Sequence, residues 1–397
     1  MRRVAVTGLG VVSSIGTGAA EFAAGLRAGR GGARPISAFD TAGFAHATGC
    51  EVVGFDPHRW IRQVPVAELG RAAQLATAAA VQAAADAGLD TGRRGLVAVG
   101  TTDGGSDEGE RLTETAVRAG PEAMDPAGAA RVPAHLLSVA VARELGLSDV
   151  EPTTLGTACA AGNYAIGDGF DAVRTGVAEF ALCGGADAMC RTTFTGFYRL
   201  GAVDPERCRP FDRDRGGILT GEGAAMLVLE PLAAARARGA HVYAEVLGHG
   251  LTCDAGHPVA PDQDGVARCM ELALADAGVR PGEVDLISAH GTGTKVNDAT
   301  ECAAIHRVFG PQPPPTVSMK SMLGHTMGAA SALAAAGCVL AIEHGFLPPT
   351  INHEHPDPAC AVDCVPNVAR PVAPRIVQNN ALAFGGNNAV VLFGGPE

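Results

Sequence analysis

Four side chains stand out for the chemistry they could do together. Cys159 sits in GTACAAGNYAIG, between a β-like TTL and an Ala/Gly-rich helical stretch. A cysteine at a helix N-terminus meets the positive end of the helix dipole, which favours thiolate. Its small neighbours Ala158, Ala160, Ala161 and Gly162 leave room for a bulky acyl group. On placement alone it reads as a nucleophile or as a buried structural cysteine. His290 follows in SAHGTGTKVND, where an apolar run ends at an imidazole and a Gly-Thr-Gly-Thr turn. Alone, it reads equally as a satisfied core histidine. KSMLGH then supplies Lys320 and His325 five residues apart. The chain has only two lysines, Lys295 and Lys320, and the second lies in an apolar segment. Near the C-terminus, NNALAFGGNNAV is a Gly/Asn-rich loop before a strand, with Phe384 as a packing residue or a movable plug.

Other chemistries fit poorly. TGLG at 7–10 begins like a dinucleotide loop, but Ser13 stands where GxGxxG needs glycine. No GxxxxGK[ST] and no GxSxG occurs. Eleven scattered cysteines include no CxxC, and His353 and His355 read as an exposed loop, so no metal is expected. The reduced thiols point to the cytoplasm. A net charge of −12 argues against nucleic acid.

The elements that must position these residues follow a layered α/β rhythm. Strands are expected at 3–7, 95–100, 180–184, 224–230, 284–289 and 389–393. Helices are expected at 66–88, 162–175 and 328–343. The apolar, alanine-rich stretch 329–347 reads as a core helix rather than a membrane span. TTLGTACAAGNYAIGDGF and VSMKSMLGHTMGAASALAA share one plan: turn residues, a reactive-looking residue, then a small-residue helix. The plan predicts a duplication, with halves meeting near residue 240. At 397 residues, 47% apolar and 18% charged, the chain can bury a large core.

Cysteine, histidine, lysine and histidine in this order resemble the β-ketoacyl-acyl carrier protein synthases of the thiolase superfamily. The resemblance runs from VAVTGLGVVSSIG through RPFDRDRGGILTGEGAAMLVLE to NNALAFGGNNAVVLF. It implies a five-layer αβαβα sandwich of two halves, 1–240 carrying Cys159 and 241–397 carrying His290, Lys320 and His325. It implies an acyltransferase that joins a malonyl unit, with loss of CO₂, to an acyl chain held on Cys159. His290 and His325 would stabilise the enolate, and Lys320 would fix His325 and the local field. The backbone N–H groups of Cys159 and Phe384 would form an oxyanion hole, with Phe384 also the gate. Thr292 and Thr294 would contact the phosphopantetheine arm of an acyl carrier protein, and no cofactor would be bound.

Initiating relatives carry asparagine where His325 stands, thiolases have a second cysteine near the C-terminus, and inert chain-length factors lack the nucleophile. HGTGTKVND and GHTMGAAS look closest to the ketosynthase subunit of type II polyketide systems, a discrete subunit paired with a chain-length factor or with itself. A homodimeric fatty-acid elongation synthase of primary metabolism and a non-condensing scaffold or acyl-transfer subunit are the alternatives. Three positions depart from the pattern: Ala334 replaces a glutamate, Ala383 a gate glycine, and Asp103 an apolar residue of the acyl pocket. Against an acidic carrier, Arg59, Arg62, Arg71, Arg199 and Arg207 are the docking candidates.

Overall fold

The computed structural model describes residues 1–396. Its main strands are β1 (Val4–Ser13), β2 (Gly95–Gly100), β3 (Val150–Leu155), β4 (Phe180–Asp187) and β5 (Gly223–Pro231), then β6 (Ala244–Cys253), β7 (Leu286–Ser288), β8 (Thr316–Val317), β9 (Ile376–Leu382) and β10 (Asn387–Gly394). The first five lie in the order β3-β2-β4-β5-β1 and the second five in the order β8-β7-β9-β10-β6. Counted from the start of each set, the two orders are identical. In each, the first three strands of that order run parallel and the last two antiparallel. The sets meet where β1 pairs antiparallel with β6, Val4 opposite Val246.

The helices repeat as well: α1 (Arg71–Ala87), α2 (Leu136–Glu144) and α3 (Ala161–Thr175), then α4 (Gln263–Ala277), α5 (Lys295–Phe309) and α6 (Ala330–His344). Helices α3 and α6 touch each other and strands of both sets, so they form the central layer. The pair α1 and α2 covers the outer face of the first sheet, and α4 and α5 cover the second. This is a five-layer αβαβα sandwich.

Composition explains the layering. A helix between two sheets has no solvent face, and α6, ASALAAAGCVLAIEH, is buried from Ala330 to Ala341. The segment Met327–His344 is apolar enough to cross a membrane by composition, yet 83% of it is buried inside the protein. Small residues let the central helices close up: a Cβ on Gly162 would lie 2.6 Å from the Ala332 nitrogen. Both helices stop at a left-handed glycine, Gly176 and Gly345. Strand β4 is buried along its whole length, as expected of a strand covered on both faces.

Two expected elements differ. The helix expected over 66–88 is a short 3₁₀ turn, Val66–Glu68, and then α1. Between them Gly70 packs against Glu108, where a Cβ would lie 3.2 Å from its Cγ. The strand expected over 284–289 pairs as a ladder only at Leu286–Ser288; Ala289 packs against Phe211 and Cys302, and His290 lines the site.

Candidate active site

After β3 the chain turns sharply. Ala158 takes φ 49°, a left-handed conformation that costs an alanine strain. Residues 158–160 form a 3₁₀ turn that leads into α3. Cys159 therefore sits just ahead of the helix N-terminus, 5% exposed. The second half repeats the device: Met327 has φ 50°, residues 327–329 form a 3₁₀ turn, and α6 follows. Gly328 stands there where Cys159 stands in the first half, and the two turns are in contact.

Burial dominates and pushes the Cys159 thiol up to about 12. The Lys320 charge and the residue's own backbone N–H pull it down, while Asp187 and Asp103 push it further up. Burial thus works against the thiolate that a helix N-terminus favours, and Cys159 rests as a thiol.

The imidazoles come from two different turns. Beyond β7, the backbone N–H groups of His290 and Gly291 donate to the buried Glu301 carboxylate at 2.7 and 2.8 Å. Gly291, at φ 39°, has no room for a side chain, since its Cβ would lie 2.7 Å from the Ser318 Cβ. Lys320 Nζ donates to the His290 carbonyl at 2.5 Å and lies 3.4 Å from His290 Nδ1. Lys320 thus braces His290. The expected brace on His325 is corrected: the turn Lys320–Leu323 aims Nζ at the end of β7, and Lys320 reaches His325 through its charge alone. His325 is held by its own loop, where the Met327 backbone N–H donates to Nδ1 at 3.2 Å.

An ammonium and a backbone N–H only donate, so His290 Nδ1 accepts from Lys320 and His325 Nδ1 from Met327, and both rings carry their proton on Nε2. Burial, then the Lys320 charge, holds both imidazoles well below their usual range, so they are neutral. The rings lie 5.6 Å apart at 82°.

Cys159, His290 and His325 share one cavity of about 340 Å³ with Thr292, Thr294 and Phe384. The Thr292 and Thr294 hydroxyls are 2.9 Å apart. Arg215 Nε bonds the Thr294 carbonyl at 3.2 Å, and Asp298 accepts from the Thr292 N–H at 3.0 Å. Ala383 lines the cavity beside Phe384, which is 37% exposed and rests 5.3 Å from Phe197. Gly385 and Gly386 follow at φ 83° and 79°, so the loop keeps two residues free of side-chain hindrance.

Sequence reasoning missed Phe197, Arg215, Asp298, Glu301 and Asp187. Asp298 and Glu301 carried a signal, being three apart at the start of a helix right after HGTGT.

Lys320 and Asp103 stay behind the cavity wall. Asp103 accepts from Thr193 Oγ1 at 2.7 Å. Ala334 is buried on α6. Of the arginines, Arg59, Arg62 and Arg199 are exposed, and Arg207 pairs with Glu354 at 2.7 Å. Arg71 is corrected as a docking candidate: it bonds Glu222 at 2.8 Å and the Val52 carbonyl, and stacks on Phe55. Glu222 is buried and needs that cation. Asp212, Asp214 and His355 cluster outside the cavity, but backbone N–H groups of 214, 354 and 355 already fill the Asp212 carboxylate.

Comparison with known proteins agrees with this geometry. Residues 1–235 match the β-ketoacyl synthase N-terminal domain and residues 243–354 the C-terminal domain. The chain belongs to the β-ketoacyl synthase family, and it is an acyltransferase with the thiolase-like fold. It is 37% identical to 3-oxoacyl-[acyl-carrier-protein] synthase 2 of Synechocystis sp., covering 99% of this chain and 98% of that one. It is 38% identical to the tetracenomycin polyketide synthase ketoacyl synthase alpha subunit of Streptomyces glaucescens, covering 100% and 98%. Among solved structures, the ishigamide ketosynthase/chain length factor superposes with a TM-score of 0.99 at 59% identity over the whole of both chains.

Proposed function

We propose that this chain is the condensing ketosynthase of a type II polyketide pathway. It would extend an acyl chain on Cys159 with malonyl units delivered by an acyl carrier protein. The observation that carries the reading is a pair of buried imidazoles, each contacted at Nδ1 by a donor, lining the cavity that holds Cys159.

The chemistry follows in three balanced steps. The Cys159 sulfur attacks the acyl thioester, the carrier's C–S bond breaks, and the Cys159 proton leaves on the departing pantetheine thiol. A resting thiol therefore needs no permanent base. Malonyl thioester then enters. Its carboxylate leaves as CO₂, and the electron pair becomes an enolate whose oxygen accepts from Nε2–H of His290 and His325. Two neutral donors suit this step, because a charged imidazole would sit badly beside Lys320 in a dry site. Finally the enolate carbon attacks the thioester on Cys159. The carbonyl oxygen gathers charge against the backbone N–H groups of Cys159 and Phe384. The C–S bond then breaks, and the Cys159 thiolate takes up one proton from water, as its raised affinity favours.

The remaining roles form part of the same reading. Residues 1–240 and 241–397 are the two halves, supported by the repeated strand order. Thr292 and Thr294 line the pantetheine path, and Phe384 gates it with Ala383 at its hinge. Asp103 sets the polarity behind the acyl end. Arg59, Arg62, Arg199 and Arg207 are the docking candidates that remain for an acidic carrier. The enzyme works in the cytoplasm, where its eleven free cysteines stay reduced. The partner is a chain-length-factor-like subunit, supported by the 59% identity to the ishigamide ketosynthase/chain length factor.

The test compares the purified chain alone with the chain plus such a subunit, each given acyl- and malonyl-carrier protein. Condensation only in the pair supports the polyketide heterodimer. A two-carbon extension by the chain alone favours a homodimeric fatty-acid synthase. Acylation without condensation under both conditions favours the non-condensing alternative.

A further inference from the structure

We propose that Asp187 is a positioning residue, fastening the second-half turn at Gly328 and the Thr101–Gly104 turn into one unit beside Cys159. We infer also that its neighbour Asp103 makes this fastening sensitive to pH. The inference rests on the condensing roles proposed above for Cys159 and His325.

Asp187 ends β4 and is fully buried. Four donors converge on its carboxylate. Thr101 Oγ1 and the Asp103 N–H donate to Oδ1 at 2.5 and 3.0 Å. The Thr102 and Gly328 N–H groups donate to Oδ2 at 2.8 and 2.5 Å. That fills the acceptor capacity of a carboxylate. Three donors come from the first half and one from the second. Gly328 follows Met327, whose N–H sets the His325 tautomer. The segments leave no slack, since a Cβ on Gly328 would lie 2.5 Å from the Thr101 backbone. One buried side chain thus joins the turn behind Cys159 to the turn that orients His325.

Asp103 complicates the fastening. Its N–H donates to Asp187, yet its own carboxyl is beside the same site, with Oδ2 buried and unpartnered among the described residues. The groups facing the two carboxyls are Cys159, Asp107 on the helix Ser106–Ala119, and Cys190, which contacts Glu110. Two carboxylates this close do not both ionise cheaply. Asp187 is ringed by donors, so the proton they share belongs on Asp103 Oδ2. Burial first, and the like charge second, raise the step in which the pair loses that shared proton to about 7, and burial raises both members. Below neutrality the pair carries one charge and the staple holds. Above it both are charged and the Thr101–Gly104 turn is repelled.

A carboxyl raised in the folded state binds a proton the unfolded chain has lost, so stability falls as pH rises from the unfolded value, about 4, to about 7. Asp103→Asn removes the like charge and weakens that fall.

The experiment measures Tm, acylation of Cys159 and condensation for the working enzyme with Asp103→Asn and Asp187→Asn. Relative to wild type, Asp103→Asn is expected to gain about 2 °C in Tm between about pH 5 and about pH 7.5. Its condensation rate relative to wild type should rise about threefold between about pH 6 and about pH 8.5. Asp187→Asn presents an NH₂ to donors and should lose condensation while still acylating. Parallel pH profiles for Asp103→Asn and wild type overturn the inference, as does wild-type condensation by Asp187→Asn. If Asp187→Asn does not fold, the Asp103→Asn profiles decide. If no form is ever acylated, the condensing reading fails, and the Tm profiles still report on the pair.

Discussion

Replacing His325 with alanine removes one of two donors aimed at the developing enolate and leaves Cys159 in place. Its size can be reasoned from the site. Both imidazoles are buried and neutral, and each is braced at Nδ1 so that Nε2 carries the proton. Such preorganised donors, in a site that excludes water, are each worth about 2.7–4 kcal/mol at the transition state. Condensation should therefore fall about 10²- to 10³-fold. Loading uses the sulfur and the backbone N–H groups, so acylation should change only a few-fold. His290→Ala should fall similarly. The double variant should fall by less than the product of the two, because both act on one oxygen. The assay follows acyl-enzyme by intact mass and β-ketoacyl product by chromatography, on the same samples. Equal losses in acylation and condensation would refute the division of labour, as would full condensation by either single variant.

Other expectations follow from the same geometry. With its thiol pushed up to about 12, Cys159 should alkylate slowly at neutral pH, rising about tenfold per pH unit up to about pH 9; a rate already saturated at neutral pH would contradict the burial argument. Lys320→Met removes the donor to His290 and a charge that favours thiolate. It should cost about 1.5–3 kcal/mol, read as a ten- to hundredfold loss in kcat with a smaller change in KM. Arg71→Ala should lower Tm by stranding the buried Glu222, with the KM for carrier protein unmoved. Arg59→Glu with Arg62→Glu should raise that KM and leave Tm within a degree or so. The imidazoles, held well below their usual range, should add no acid limb to the condensation profile above about pH 6.

The sequence disclosed the nucleophile turn, both histidines and the buried lysine because each lies at the junction of a strand and a small-residue turn. The duplication was visible for the same reason: GTACAAG and HTMGAAS place a left-handed residue and a helix start in the same frame. What stayed hidden depends on contacts between distant segments. That Lys320 braces His290 rather than His325 is set by where β7 ends against the 320–323 turn. That Arg71 is committed to Glu222 requires bringing together residues 151 apart. The thiol state of Cys159 is a burial effect, which local spacing does not record. Asp187 looked like the end of an apolar strand, and its four donors come from two turns far apart in the chain. The 66–88 helix was overextended because an apolar pattern continues through Leu69 and Gly70, whose extended backbone separates the 3₁₀ turn from α1.

The central claim is that Cys159 carries the acyl chain through a decarboxylative condensation. Intact-mass and peptide mapping of the enzyme with its partner subunit, after acyl- and then malonyl-carrier protein, tests it most directly. The account predicts an acyl adduct on Cys159 alone among the eleven cysteines, discharged by malonyl-carrier protein into a β-ketoacyl product two carbons longer. An adduct on another residue, or product formation by Cys159→Ala, would contradict it.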